Sequence, residues 1–311
     1  IASLIQRTGI KWIRDHWGGQ YDASAGEYRS LDPTLLLARE HGLCYLPLSP
    51  YWNAKQMEEV DGVWRHDAGA RQAEAYARKH RGYFDAYELY NEPNNFGGWT
   101  GRFGGSWNGG GWLAPFVDFG RQITRAIQRG DPDAMVLWPE GDVFVLTKQF
   151  VEAGARPELD AIAPHTYSLH QPSYPEDQPF LRSIAEVKDF LRQARLSDQI
   201  WSTEVGFPSF SAPPDHKGFH RALTERQQAD VLARMMILHL ACGITKVFYY
   251  DFYEDGHDPT NAEHRFGIVR RRTMEPKPAV VAYANLIHWL TDAQFLGHYR
   301  ESTQRRWSRI R

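Results

Sequence analysis

Ala86-Tyr87-Glu88-Leu89-Tyr90-Asn91-Glu92-Pro93-Asn94 is the stretch on which the reading of the fold turns. Tyr87, Leu89 and the aromatics beside them favour an extended chain, and Pro93 can neither donate to a ladder nor prolong one. Glu92 is therefore expected where a short strand stops, its backbone restricted by the proline that follows. Standing alone, such a turn carries a solvated glutamate. A second stretch changes that. Gln199-Ile200-Trp201-Ser202-Thr203-Glu204-Val205-Gly206-Phe207-Pro208 is again a short strand ending in Glu, then Gly and Pro. In a parallel α/β barrel the carboxyl ends of strands are where chemistry is done. Two carboxylates on one rim suit an acid/base and nucleophile pair.

Outward from these stretches, the chain alternates short apolar runs with helical periods. Residues 1–9 read as the end of a helix stopped by Gly9, and Ile10 to Asp15 as a strand. Pro33 to Glu40 is helical, capped by Asp32 with proline in the first position, and Leu43 to Leu48 is a buried strand. A helix from about Ala68 to His80 leads to the Glu92 strand. Phe96 to Gly111, dense in Gly and Trp, has no helical or alternating period and reads as a loop. Leu113 to Arg129 spaces Phe116, Phe119, Ile123 and Ile127 on one helical face. Strands at Met135–Trp138 and Leu159–His165 flank a helix at about Phe144–Ala153, and Phe180–Ala194 is helical ahead of the Glu204 strand. Thr224-Glu225-Arg226-Gln227 is a capping box that opens a helix to about Cys242. Lys246–Tyr250 is the last core strand and Pro276–Leu290 the last helix.

Seven strands, each followed by a helix, imply a parallel sheet with right-handed crossovers. Length and count favour a closed (β/α)8 TIM barrel over residues 1–294. An open doubly wound sheet is the alternative, but no Gly-x-Gly-x-x-Gly turn follows any strand to support dinucleotide binding. Phe295 to Arg300 reads as a strand, so residues 295–311 are expected to begin an accessory β domain that the chain does not complete.

The 311 residues carry 36 Lys and Arg against 38 Asp and Glu, a net charge of −2 that favours neither nucleic acid nor an anionic membrane as partner. No run approaches the length of a membrane span, and since Ile1 opens directly on helix-like sequence no signal peptide is expected. The compartment and the oligomeric state are not readable, though a polysaccharide substrate would favour secretion or the periplasm. The two cysteines, Cys44 and Cys242, make no disulfide framework and are expected as small buried apolar groups. The 11 tryptophans, many in loops, suit either core packing or stacking on the apolar face of a sugar ring.

"LYNEPN" and "WSTEVGFP" resemble the strand-4 and strand-7 signatures of clan A retaining glycoside hydrolases, nearest to family 39-like and family 5-like members. The resemblance covers nearly the whole chain. It implies hydrolysis of a β-linked oligo- or polysaccharide by double displacement, with Glu92 as acid/base and Glu204 as nucleophile. It makes Ile10–Asp15 strand 2, so that strand 1 is expected ahead of Ile1. Retention needs carboxyl groups about 5–5.5 Å apart, whereas about 6.5–9.5 Å leaves room for a water and inversion. The resemblance implies roles for neighbours too. Arg14 matches the arginine that holds the nucleophile ionised, and Asn91 the asparagine on the substrate 2-hydroxyl. His165 and Tyr167 match residues beside the nucleophile. Many members floor the sugar site with a Trp after strand 8. Here Phe248-Tyr249-Tyr250-Asp251 has none, and Tyr250 is the expected platform. Trp52 and Trp138 at strand ends, and Trp99 and Trp107 in the loop after Glu92, are further candidates for sugar contacts, or equally core.

Other chemistries fit less well. Asp251, Glu254, Asp255, His257 and Asp258 crowd one loop, but no HExxH, paired-His or calcium-loop spacing occurs, so no catalytic metal or cofactor is expected. No Gly-x-Ser-x-Gly elbow offers a serine nucleophile. The non-catalytic rival is a carbohydrate-binding barrel, which would have no need of both glutamates.

Overall fold

In the computed structural model, which describes residues 1–95, 98–141, 144–156, 158–167, 180–213, 216, 218, 220–244, 246–293, 295–300 and 306–310, strand and helix alternate as the apolar pattern requires. The strands in chain order are β1 (Trp12–His16), β2 (Tyr21–Asp22), β3 (Glu27–Tyr28), β4 (Cys44–Leu48), β5 (Glu58–Val60), β6 (Val63–Arg65) and β7 (Ala86–Glu88). Then come β8 (Met135–Glu140), β9 (Ala161–Pro164), β10 (Trp201–Val205), β11 (Lys246–Tyr249), β12 (Phe295–Arg300) and β13 (Arg306–Ile310). The helices are α1 (Ala2–Thr8), α2 (Pro33–Glu40), α3 (Asp67–Lys79), α4 (Trp99–Phe103), α5 (Leu113–Gly130), α6 (Leu146–Glu152), α7 (Phe180–Gln193), α8 (Glu225–Ala241) and α9 (Pro278–Leu290). Helix α1 precedes β1, and no strand lies ahead of Trp12 among the described residues.

The chain packs as two compact units, one made of Trp12–Pro164 and Glu186–Trp201, the other of Ile1–Lys11, His165–Ala185 and Ser202–Arg311. The first holds a five-stranded sheet in the order β1-β4-β7-β8-β9, parallel throughout. Ala86, Tyr87 and Glu88 pair with Met135, Val136 and Leu137, so the Glu92 strand is an interior one. Its helices form for local reasons. The Asp32 carboxylate accepts from the Thr34 amide with Pro33 at the first position of α2, and the His66 ring accepts from the Gly69 amide to start α3. Phe116, Phe119, Ile123 and Ile127 of α5 are all fully buried, as their spacing predicts. Two glycines let α5 close on its neighbours. A Cβ at Gly120 would meet the Trp138 ring at 2.5 Å, and one at Gly130 would meet the α3 backbone at 2.6 Å.

In the second unit β10 is hydrogen-bonded to β11, and the Tyr250 amide extends that pairing to the Val205 carbonyl at 2.8 Å. The capping box forms as read: Thr224 accepts from the Gln227 amide while Gln227 returns to the Thr224 backbone. Gly9 takes the left-handed conformation that stops α1, with φ of 86°. Strands β12 and β13 make an antiparallel pair.

Several elements differ from expectation. The hairpin β5–β6 turns through Asp61 and Gly62, both at positive φ, a type I′ signal in what reads as a plain connection. The loop after Glu92 contains the short helix α4. Cys44 is exposed and Cys242 half-buried, not core residues, because Cys44 stands at the first position of β4 and Cys242 just beyond α8. No helix among the described residues is long and apolar enough to cross a membrane.

Candidate active site

Four residues past the end of β7, Glu92 sits in a left-handed backbone conformation with φ of 45°. A non-glycine side chain there carries steric cost, of a kind that gathers at functional turns. The turn is fixed by Asn95, whose amide donates to the Glu92 carbonyl at 2.9 Å and whose side chain donates to Glu92 Oε2 at 3.0 Å. The carboxylate is half-buried.

Directly beneath lies a polar chain that the sequence reading lacks. Glu88 is fully buried on β7, and the Arg14 guanidinium of β1 grips it with two bonds, Nε to Oε2 at 2.5 Å and Nη2 to Oε1 at 3.0 Å. The same Nη2 donates to Asn91 Oδ1 at 2.7 Å, which turns the amide so that Asn91 Nδ2 donates to the Tyr51 hydroxyl at 2.7 Å. The resemblance gives Arg14 a nucleophile to hold; within its own unit it binds Glu88 and orients Asn91. The signal for Glu88 was present, since a carboxylate inside an apolar strand needs a cationic partner. What the sequence does not say is which cation.

Glu204, on β10, has its own setting. The Tyr167 hydroxyl donates to Glu204 Oε1 at 2.5 Å, and His165 Nδ1 stands 3.8 Å from Oε2. His165 pairs with Glu204 as a parallel bridge, and the Thr166 amide donates to the Glu204 carbonyl at 2.9 Å. Behind the strand, Thr166 Oγ1 bonds Ser202 Oγ at 2.7 Å and His239 Nε2 at 2.8 Å, while His239 Nδ1 faces the Met235 carbonyl at 2.7 Å. Complete burial pushes the His239 imidazole down to about 4, so it is neutral at pH 7.

Tyr250 belongs to the same neighbourhood. Burial raises its hydroxyl well above the usual range, and Asp255, which accepts from it at 2.8 Å, and Glu204 add to the push. Its backbone packs so close to Gly206 that a Cβ there would lie 1.8 Å from the Tyr250 carbonyl oxygen. The Tyr250–Asp251 peptide is cis.

The tryptophans separate. Trp138 is fully buried, its Nε1 donating to the Glu158 carbonyl at 2.9 Å, and Trp99 packs among Tyr90, Phe116 and Phe119 with 1% of its surface exposed. Trp52 is buried against Trp17 and Phe119 and donates to Gln72. These three rings offer no open face, which corrects their assignment to sugar contacts. Trp107 is 44% exposed.

The acidic loop is also spoken for. Glu254 is buried with Lys277 at 2.6 Å and Arg265 at 2.9 Å, and Asp255 holds Tyr250. Burial, aided by Asp255, pushes the Asp251 carboxyl up to about 8.

No protein-family model and no curated protein matches the sequence. Solved structures do. A family 39 glycoside hydrolase from Bacteroides cellulosilyticus superposes with a TM-score of 0.73 at 19% identity, over 97% of this chain and 62% of that one. A family 1 β-glucosidase from Thermotoga maritima gives 0.60 at 12% identity, over 92% of this chain and 85% of that one. The β-glucuronidase of Bacteroides uniformis gives 0.63 at 15%, over 94% of this chain and 33% of that one. The fold is α/β, of the TIM-barrel type. At these identities the likeness concerns fold, and the chain spans 62% of the length of the family 39 enzyme.

Proposed function

We propose that the chain is a retaining glycoside hydrolase acting on a β-linked oligo- or polysaccharide, with Glu204 as nucleophile and Glu92 as acid/base. One observation carries most of the weight: Glu204 stands on a strand with the Tyr167 hydroxyl donating to Oε1 at 2.5 Å. That bond holds the carboxylate in one orientation, as a nucleophile that must meet a carbon in line requires. In the first step a Glu204 oxygen bonds to the anomeric carbon as the glycosidic C–O bond breaks, and Glu92 gives its proton to the departing oxygen. In the second, Glu92 takes a proton from water, the water oxygen bonds to the anomeric carbon, and Glu204 leaves with its electron pair. Asn91, turned by Arg14, would present its amide to the 2-hydroxyl, and Tyr250 would floor the ring.

The test is a panel of aryl β-glycosides and β-linked polysaccharides. Proton NMR of the first-formed sugar should show the β-anomer; an α-anomer first would refute retention. Glu92→Gln should spare activated aryl substrates, which need little protonation, and Glu204→Ala should abolish both. A wild-type chain that binds these sugars and hydrolyses none would make it a carbohydrate-binding barrel.

A further inference from the structure

Trp107 stands at the corner of a turn built to hold it. Ser106 and Gly109 close the turn with two backbone bonds, of 2.7 and 3.1 Å, which leaves Trp107 and Asn108 at the tip. Each flank is then fastened. The Trp112 indole donates to the Ser106 carbonyl at 3.0 Å, and Gln149 of α6 donates to the Asn108 carbonyl at 2.7 Å. At the base Gly105 and Gly110 cross so closely that a Cβ on Gly110 would lie 2.5 Å from the Gly105 Cα. This is a rigid mount, and the residue it displays is an indole 44% exposed while Trp99 and Trp112 from the same loop are buried.

Its place in the first unit is equally defined. Asn94, two residues beyond Glu92, donates to the Trp107 carbonyl at 3.2 Å. A Cβ on Gly141, immediately after β8, would come within 3.9 Å of the Trp107 indole nitrogen and 3.8 Å of the Asn94 amide. Trp107 is thus anchored at the carboxyl ends of β7 and β8, its own turn hydrogen-bonded to the one that carries Glu92. An acid/base must stand beside the leaving oxygen, so whatever this turn displays faces the leaving portion of the substrate.

We infer that Trp107 is the stacking platform for the sugar ring on the leaving side of the cleaved bond, and that the substrate is an oligomer of equatorially substituted pyranoses. The inference rests on the glycosidase reading and specifies its substrate. A pyranose with equatorial hydroxyls offers a face of axial C–H bonds that an indole covers without stranding a polar group, whereas an axial hydroxyl on that face would be desolvated. A fixed aromatic loses little freedom on binding, which lowers one of the costs of association.

The experiment compares wild type, Trp107→Ala and Trp107→Phe on β-glycosyl fluorides, which have no ring on the leaving side, and on β-1,4-linked gluco-, xylo- and galacto-tetraoses. For the alanine variant the tetraose kcat/KM should fall about 10- to 50-fold, chiefly through KM, with the fluoride unchanged and Phe restoring most of the loss. The galacto-tetraose, whose linkage oxygen O4 is axial and breaks the flat run of equatorial substituents, should depend on Trp107 least. An equal fall on both substrate types, or no fall on either, overturns the inference. A binding arm separates it from the catalytic reading: the tetraoses are titrated into Glu204→Ala by tryptophan fluorescence, with and without Trp107. If wild type cleaves nothing but the tetraose signal is lost with Trp107, hydrolysis fails and the platform stands; a signal that survives removal of Trp107 overturns the platform.

Discussion

Replacing Glu88 with alanine tests the polar chain under the candidate acid/base turn most directly. Glu88 is fully buried and the Arg14 side chain 11% exposed, so neither charge is solvated well enough for water to take the other's place. Removing one member of a buried pair costs about 3–5 kcal/mol, whereas removing one member of an exposed pair would cost under about 1 kcal/mol. With an unfolding entropy of roughly 2.1 cal/mol/K per residue, the buried-pair figure corresponds to a drop of about 5–8 °C in Tm for this chain. Glu88→Gln keeps the volume and one of the two acceptor oxygens and should lose less. The paired change Arg14→Met with Glu88→Leu removes both charges and should recover most of the loss, since apolar replacement of a whole buried pair is often neutral. Thermal melts and urea midpoints of wild type, Arg14→Met, Glu88→Leu and the paired variant make a double-mutant cycle. A Glu88→Ala variant melting within 1–2 °C of wild type (roughly the effect of an exposed pair), or a double variant no better than the single, would show that the pair does not hold this part of the sheet.

Two other outcomes follow from the second unit. Gly206→Ala should disrupt the β10–β11 pairing, because the new methyl would lie 1.8 Å from the Tyr250 carbonyl; lost tyrosine near-ultraviolet signal with retained helical signal is the readout, and a native spectrum would refute it. The His239 imidazole, held down at about 4 by burial, is neutral in the folded state and free to protonate when unfolded. Its contribution is complete above pH 6.5 and is lost as pH falls toward 4, on the order of 3 kcal/mol. Urea midpoints from pH 7 to 4 should fall less steeply in His239→Gln, and an unchanged slope would exclude this histidine as a source of acid sensitivity.

What the sequence disclosed was local. The Asp32 cap with Pro33, the Thr224 box and the apolar stripe of α5 each depend on residues within a few positions, and each forms where expected. The alternation of strand and helix, summed over the chain, was enough for the fold class. Pairing over distance was not legible. Arg14 and Glu88 lie 74 residues apart, and nothing in either neighbourhood names the other. The tryptophans make the same point, for Trp99, Trp112 and Trp107 share one Gly-rich loop and only tertiary packing decides which is exposed. Strands of two or three residues, as in β2–β3 and β5–β6, are too short to show a period; only the Asp61-Gly62 turn marks the latter.

The left-handed backbone at Glu92 has a consequence for heat resistance. Glutamate carries a steric cost in that conformation, while asparagine tolerates it and glycine adopts it freely. Glu92→Asn or Glu92→Gly should therefore melt about 1–2 °C above the parent if roughly 1 kcal/mol of strain is released. At φ of 45° this glutamate stands against the conformational preference of its own residue type, so the turn holds a side chain that local backbone energy does not favour.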